Sequence, residues 1–239
     1  KHKLPSTKSY YSPCKCVQKQ IISGADFSSN WTGLRREPAA GPEERSCGIL
    51  GGYVIMKIVE GGVTAAKGFQ AAAAAAEIKY KGRTDMAMVY SEVPCVAAGT
   101  FTTNVVKAAP VKWDQDIVYN HPYAQAVICN SGIANACTGA EGYGYCKETA
   151  DAAAEVLNVA ADSVLVASTG VIGMQVPIDR IKNGVKMMAP KLDGSLEAGT
   201  EAAKAIMTTD TKKKEVAVQI EIGGKTVTIG GMCKGSGMI

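Results

Sequence analysis

Three stretches of this chain pair residue types able to do chemistry with a backbone able to aim them. Ser163-Val164-Leu165-Val166-Ala167 is an apolar run that passes straight into Ser168-Thr169-Gly170-Val171-Ile172-Gly173. A strand that ends in hydroxyl and glycine can turn backbone N–H groups and a threonine hydroxyl toward one point, which is what a developing oxyanion requires. The same residues also make ordinary turns, and taken alone the turn is the simpler reading. Asn130 to Gly139 is a second polar, glycine-punctuated segment after a strand, suited either to holding a ligand or to closing a turn. The third stretch, Gly230-Gly231-Met232-Cys233-Lys234-Gly235-Ser236-Gly237, sets one lysine among glycines at the exit of a hairpin. It is only superficially a phosphate cradle, because the lysine stands between glycines and no helix follows it in the sequence.

Other chemistries are poorly supplied. His2 and His121 are the only histidines and no Gly-x-Ser-x-Gly turn is present, so a Ser-His-Asp triad is not expected. Eight cysteines stand at positions 14, 16, 47, 95, 129, 137, 146 and 233. Cys14-Lys15-Cys16 is too close for the usual zinc pair and no second pair has ligand spacing, so the reading is reduced thiols and no metal. The net charge of +4 comes from scattered lysines without a basic stripe interleaved with aromatics, which argues against nucleic acid. No apolar run approaches the ~18 to 20 residues that span a bilayer, and no secretion signal opens the chain, so no membrane partner is expected and the compartment expected is the cytoplasm.

The elements that must position these residues begin near Met56. Residues 1–55 are rich in Lys, Ser, Pro and Tyr and carry no sustained period, which reads as a loosely ordered leader or upstream read-through. A mitochondrial or plastid transit peptide is the rival reading, since residues 1–25 are serine-rich and poor in acid. From 56 to 239 short β-branched runs alternate with helical patterns, the mark of an α/β domain. Strands are expected at 85–90, 99–106, 124–129 and 163–167, and helices at 145–157, 177–188 and 195–207. Val216, Val218, Ile220 and Ile222 alternate with polar or small residues, Gly223-Gly224 turns the chain, and 225–229 returns as the second arm of a hairpin. Ala71 to Ala76 is left between helix and strand, because propensity and flanking residues disagree.

Taken in order, these segments resemble one family. Gly61-Gly62-Val63-Thr64-Ala65-Ala66-Lys67-Gly68-Phe69, Phe101-Thr102-Thr103-Asn104 with Lys107-Ala108-Ala109-Pro110-Val111, Asn130 to Gly139, Ala167 to Gly173, Thr208-Thr209-Asp210-Thr211 and Gly230 to Ile239 are similar to the ornithine acetyltransferase (glutamate N-acetyltransferase) family of arginine biosynthesis. The resemblance covers essentially all of 56–239. It implies a two-layer β-sheet core flanked by helices (αββα), and a precursor that cuts itself before a threonine just beyond the Lys-Gly-Ser-Gly-Met phrase. That threonine, absent from this chain, is the implied nucleophile. It would take acetyl from N2-acetyl-L-ornithine and pass it to L-glutamate, with no cofactor; use of acetyl-CoA as a second donor is left open. By motif match Thr169 and Gly170 form the oxyanion hole and Thr208 and Lys234 bind substrate; Thr209 and Asp210 are read as only capping or orienting the same segment. The implied partners are the two small substrates and a C-terminal β-chain, in a heterotetramer of two α and two β chains.

Two departures from the family pattern stand out. Ile133 occupies a position that is commonly asparagine, which removes a hydrogen-bonding side chain, and Ala66 replaces a proline, which loosens a turn. The expectation is that this portion alone does not turn over substrate. Two rivals remain: a self-processing amidase or aminopeptidase of related fold that hands the acyl group to water, and a truncated non-catalytic binding domain.

Overall fold

The computed structural model describes residues 20–23, 45–49 and 52–235. In chain order the elements are β1 (Gln20–Ser23), β2 (Arg45–Ile49), β3 (Gly52–Val59), a 3-10 turn (Val63–Ala65), β4 (Phe69–Ala74), β5 (Met86–Cys95), α1 (Ala109–Asn120), β6 (Ala124–Ile133), α2 (Gly139–Leu157), β7 (Val164–Val171), α3 (Ile178–Met188), α4 (Leu196–Ala205), β8 (Glu215–Ile222) and β9 (Lys225–Cys233). Within 1–55 the described residues are all strand, and β3 runs across the change of composition at Met56. The rest of the expected leader, with His2, Cys14 and Cys16, and the Ser236 to Ile239 end of the glycine segment lie outside the described residues.

Two sheets carry the α/β architecture. One has the order β4-β5-β6-β7 and the other β1-β9-β8-β3-β2. In the four-stranded sheet β6 and β7 are parallel, which requires a crossover, and α2 provides it. Of the run Ala71 to Ala76, the first four residues resolve as strand, the end of β4, and both faces of the run are buried. Ala72, Ala74 and Ala76 share an apolar cluster with Met86, Met88, Ile128, Val185 and Met188, while Ala71 joins Ala87, Val89, Cys129, Ala202 and Ala203. Methyl-sized side chains let a helix lie close on either side, and burial on both faces removes the alternation by which strands are recognised. Gly184 of α3 marks how close: a Cβ there would sit 2.9 Å from Cβ of Ala76 and nearer still to the Met86 sulfur.

The opposite face of this sheet is covered by α4, by Val63 of the 3-10 turn and by Met232 of β9, which ties the second sheet to the first. Ser195 caps α4, its hydroxyl accepting from the Ala198 N–H at 3.2 Å. The hairpin β8–β9 forms as its alternation predicts, but β9 continues through Cys233, so that Met232 pairs with Glu215. One face of this sheet is apolar across three strands: Ile58 lies opposite Val218, which lies opposite Ile229. Ile58 and Val216 on that face are 64% and 54% exposed.

Two expectations differ from what is observed. The segment 99–106, read as a strand, has no regular structure. Its own side chains take the backbone donors, Thr102 Oγ1 accepting from the Asn104 N–H and Asn104 Oδ1 from the Val106 N–H at 3.1 and 2.9 Å, which turns the chain instead of laddering it. Helix α1 was not anticipated, because its buried face (Ala109, Pro110, Asp114, Ile117) is interrupted by a carboxylate that accepts from the Val166 N–H at 2.8 Å. Pro110 in its first turn was the available signal.

Candidate functional site

The parallel pairing of β6 with β7 sets Ser131 beside Thr169 and Gly132 beside Gly170. Gly170 has φ of 135° and Gly132 of 107°, conformations that side chains bearing a Cβ rarely adopt. A Cβ on Gly170 would stand 2.6 Å from the Ile133 nitrogen and closer still to the Gly132 carbonyl. Glycine is therefore demanded twice, by torsion and by space, and the two strands end in close apposition. Thr169 and Gly170 are half-buried there, at the end of β7.

The polar segment from Asn130 to Gly139 is built as a brace. Asn130 Nδ2 donates to the Ile133 carbonyl at 2.9 Å, Asn135 Nδ2 to the Gly142 carbonyl at 2.9 Å, and the Thr138 hydroxyl to Asn135 Oδ1 at 2.8 Å. All three side chains are buried, and their groups are engaged within the segment and by the start of α2. The Ala134 N–H to the Val171 carbonyl and the Gly173 N–H to the Ala136 carbonyl then pin this loop against the chain that leaves β7. Ile133, the departure from the family pattern, lies in the apolar cluster with Val176 and Ile181.

Thr208 and Lys234, 26 residues apart in sequence, meet at one carboxylate. Asp210 Oδ2 accepts from the Thr208 N–H and from Lys234 Nζ, both at 3.2 Å, while Oδ1 accepts from Lys214 Nζ at 2.9 Å. Lys234 Nζ also donates to the Gly235 carbonyl at 3.1 Å. The Asp210 side chain is 5% exposed. Burial pushes its pKa up, but the hydrogen bonds from Lys214, the Thr208 N–H and Lys234 outweigh that and hold the carboxyl well below the usual carboxylate range. Arg83 holds the same segment, its guanidinium donating to the carbonyls of Met207 and Thr208.

A buried hydroxyl joins the two groups of candidate residues. Ser131, the register partner of Thr169, donates its hydroxyl to the Ala205 carbonyl at 2.8 Å, where α4 ends and the chain runs on to Thr208. The Ser131 N–H donates to the Asp85 carbonyl, and the Asp85 carboxylate in turn accepts from the N–H groups of Ala76 and Ile78 at 2.8 and 2.7 Å. Burial raises the Asp85 pKa against those hydrogen bonds. Sequence reading passed over Arg83 and Asp85, which stand in an unremarkable turn between apolar strands. Ser131 was noticed only as part of its loop.

His121 lies away from these groups, its Nδ1 3.1 Å from the Asp162 carboxylate near the surface. Among the described residues no three His, Cys, Asp or Glu side chains cluster at metal-binding distance, and no helix is long and apolar enough to cross a membrane.

Comparison with known proteins adds three findings. The family model described as the ArgJ family matches residues 70–239. The arginine biosynthesis bifunctional protein ArgJ of Gloeobacter violaceus is 50% identical over 182 residues, 76% of this chain and 44% of that protein, so the chain spans about half the length of the curated relatives it matches. Two solved structures superpose: the bifunctional protein argJ of Bacillus halodurans (41% identity, TM-score 0.73, 78% of this chain and 96% of that one) and the ornithine acetyltransferase of Mycobacterium tuberculosis complexed with ornithine (42% identity, TM-score 0.70, 77% and 97%).

Proposed function

Because the chain belongs to the ArgJ family, we propose that it supplies the oxyanion donors and part of the substrate clamp of a glutamate N-acetyltransferase, which moves acetyl from N2-acetyl-L-ornithine to L-glutamate. The observation that carries this reading is the linkage of two candidate halves. Thr169 lies beside Ser131, whose hydroxyl holds the end of α4, and three residues on Thr208 shares the Asp210 carboxylate with Lys234.

In the proposed cycle a threonine hydroxyl from a C-terminal polypeptide attacks the acetyl carbonyl carbon. The carbonyl oxygen takes the negative charge, and Thr169 with the Gly170 N–H stabilises it; one such donor is worth about 3 kcal/mol. The C–N bond then breaks, the departing amine takes a proton and ornithine leaves an acetyl ester on the threonine. Attack by the glutamate amine forms the new amide, and the threonine oxygen recovers its proton. Lys234 and Thr208 hold the amino-acid part of the substrate, the lysine by a charge-assisted bond to its carboxylate. No cofactor enters this cycle, and acetyl-CoA is a second donor to be tested.

The partner is proposed on two grounds. This chain covers 96% and 97% of the two solved chains but 44% of the Gloeobacter protein, as one component of a two-chain enzyme would. The apolar sheet face around Ile58 and Val216 is a surface that a second polypeptide would cover. We assign the complete enzyme two copies of each chain and a cytoplasmic location.

The test is acetyl transfer by this chain alone and by the chain assembled with the C-terminal half that its relatives possess. Sustained ornithine release from N-acetylornithine, beyond the one equivalent per site that forms the acetyl ester, is expected only in the assembled sample and only with glutamate present. Equal release without glutamate makes the protein a hydrolase, and release by the chain alone removes the proposed division of labour.

A further inference from the structure

We infer that Asp210 is the positioning residue of the substrate clamp, fixing Lys234 and Thr208 in one geometry so that both meet the same part of the substrate. The inference rests on the reading of those two residues as substrate-binding, and it assigns a role to a third that makes no proposed contact with substrate itself.

Four observations converge. A single oxygen, Oδ2, accepts from both the Thr208 N–H and the Lys234 ammonium, so neither can shift without disturbing the other. The second oxygen takes Lys214, and that residue's carbonyl accepts from the Cys233 N–H at 2.9 Å, which fixes the strand end from which Lys234 projects. The carboxylate is almost wholly covered, 5% exposed against 20% for Lys234 and 46% for Lys214, so it is the fixed member and the lysines are arranged around it. Finally, Gly235 is shaped to Asp210: a Cβ there would sit 3.0 Å from the carboxyl carbon and closer still to Oδ1. The glycine after Lys234 thus has a local physical reason, which is room for the carboxylate.

Charge balance points the same way. The Asp210 carboxylate stands between two ammonium groups, those of Lys214 and Lys234. It keeps the two lysines from repelling one another out of position.

The experiment uses three variants in the assembled enzyme, with two readouts. Asp210→Asn removes charge at constant size, Asp210→Glu keeps charge but moves it by one methylene, and Gly235→Ala intrudes on the carboxylate. The first readout is mass-spectrometric labelling of lysines by an amine acylating reagent. Asp210→Asn and Gly235→Ala are expected to raise labelling of Lys234 several-fold relative to Lys147, whose ion pair lies on α2. The second is steady-state kinetics: KM for N-acetylornithine rises roughly tenfold or more in both, with a smaller change in kcat, the fold expected for a lost charged hydrogen bond.

If placement matters, Asp210→Glu does not restore KM; full rescue by glutamate overturns positioning in favour of simple charge neutralisation. Labelling of Lys234 unchanged in Asp210→Asn overturns the inference outright, as does a uniform rise over all lysines, which reports unfolding. Labelling needs no turnover. A parent without acetyl transfer but with the predicted labelling pattern would sink the proposed activity and leave the positioning intact.

Discussion

Gly170→Ala is the substitution at which backbone torsion and space can be separated, because Gly173 supplies an internal control. Both glycines have positive φ, 135° and 79°, so alanine at either position pays a torsional penalty of about 1 to 3 kcal/mol. At Gly173 nothing lies within 4 Å of the added Cβ. At Gly170 the same atom meets the Ile133 nitrogen at 2.6 Å and the Gly132 carbonyl closer still, against 3.4 to 4 Å for an ordinary contact. The obstructing atoms are backbone of the paired strand, so relief requires β6 and β7 to part by the better part of an ångström. That adds an overpacking cost of about 1 to 3 kcal/mol and one or more ladder bonds at about 1 kcal/mol each. Urea denaturation followed by circular dichroism should therefore show Gly170→Ala less stable than Gly173→Ala by about 2 kcal/mol or more. If the assembled enzyme works as proposed, the acetyl-transfer rate should fall with it, because the proposed donors move as the strands separate. A difference under about 0.5 kcal/mol between the two variants would refute the close apposition on which the proposed oxyanion geometry depends.

Three further outcomes follow from named contacts. Ser131→Ala leaves the Ala205 carbonyl without its hydroxyl donor at a wholly buried site and should cost about 1 to 3 kcal/mol in the same denaturation assay. Gly184→Ala should destabilise although helix propensity favours alanine by about 1 kcal/mol, because Ala76 and Met86 fill the space; thermal melting with a raised midpoint would contradict it. Asp210 has a folded pKa below its unfolded value, so its contribution is fully present above the unfolded pKa and is lost as pH falls through the folded one. Stability measured from pH 5 downward should consequently fall less steeply in Asp210→Asn than in the parent, and parallel curves would show that the carboxylate is not held as described.

Legibility tracked how local the determining contacts are. The hairpin of Val216 to Ile229 was readable because one face alternates and two glycines mark the turn. Helix α3 was readable from its proline entry and its buried Ile181, Val185 and Met188 at helical spacing. Ala71 to Ala76 was not, since the strand state of its first four residues is decided by two apolar layers that meet the run from opposite sides. The segment 99–106 failed for the reverse reason: its β-branched residues suggested a ladder, while Thr102 and Asn104 closed it locally.

The sequence by itself determined the family and nominated Thr169, Gly170, Thr208 and Lys234, because glycines, hydroxyls and a lysine in fixed phrases leave their mark in residue order. Tertiary structure decided what those residues lean on. Ser131 reaches Ala205 across 74 positions, Arg83 reaches Thr208 across 125, and Asp210 gathers Lys234 from 24 residues away. None of these contacts has a period or a spacing that a chain can display. They exist because β6 runs parallel to β7, α4 ends over β6, and β9 returns to the start of β8, which brings distant polar groups together in buried and part-buried places where each finds a partner.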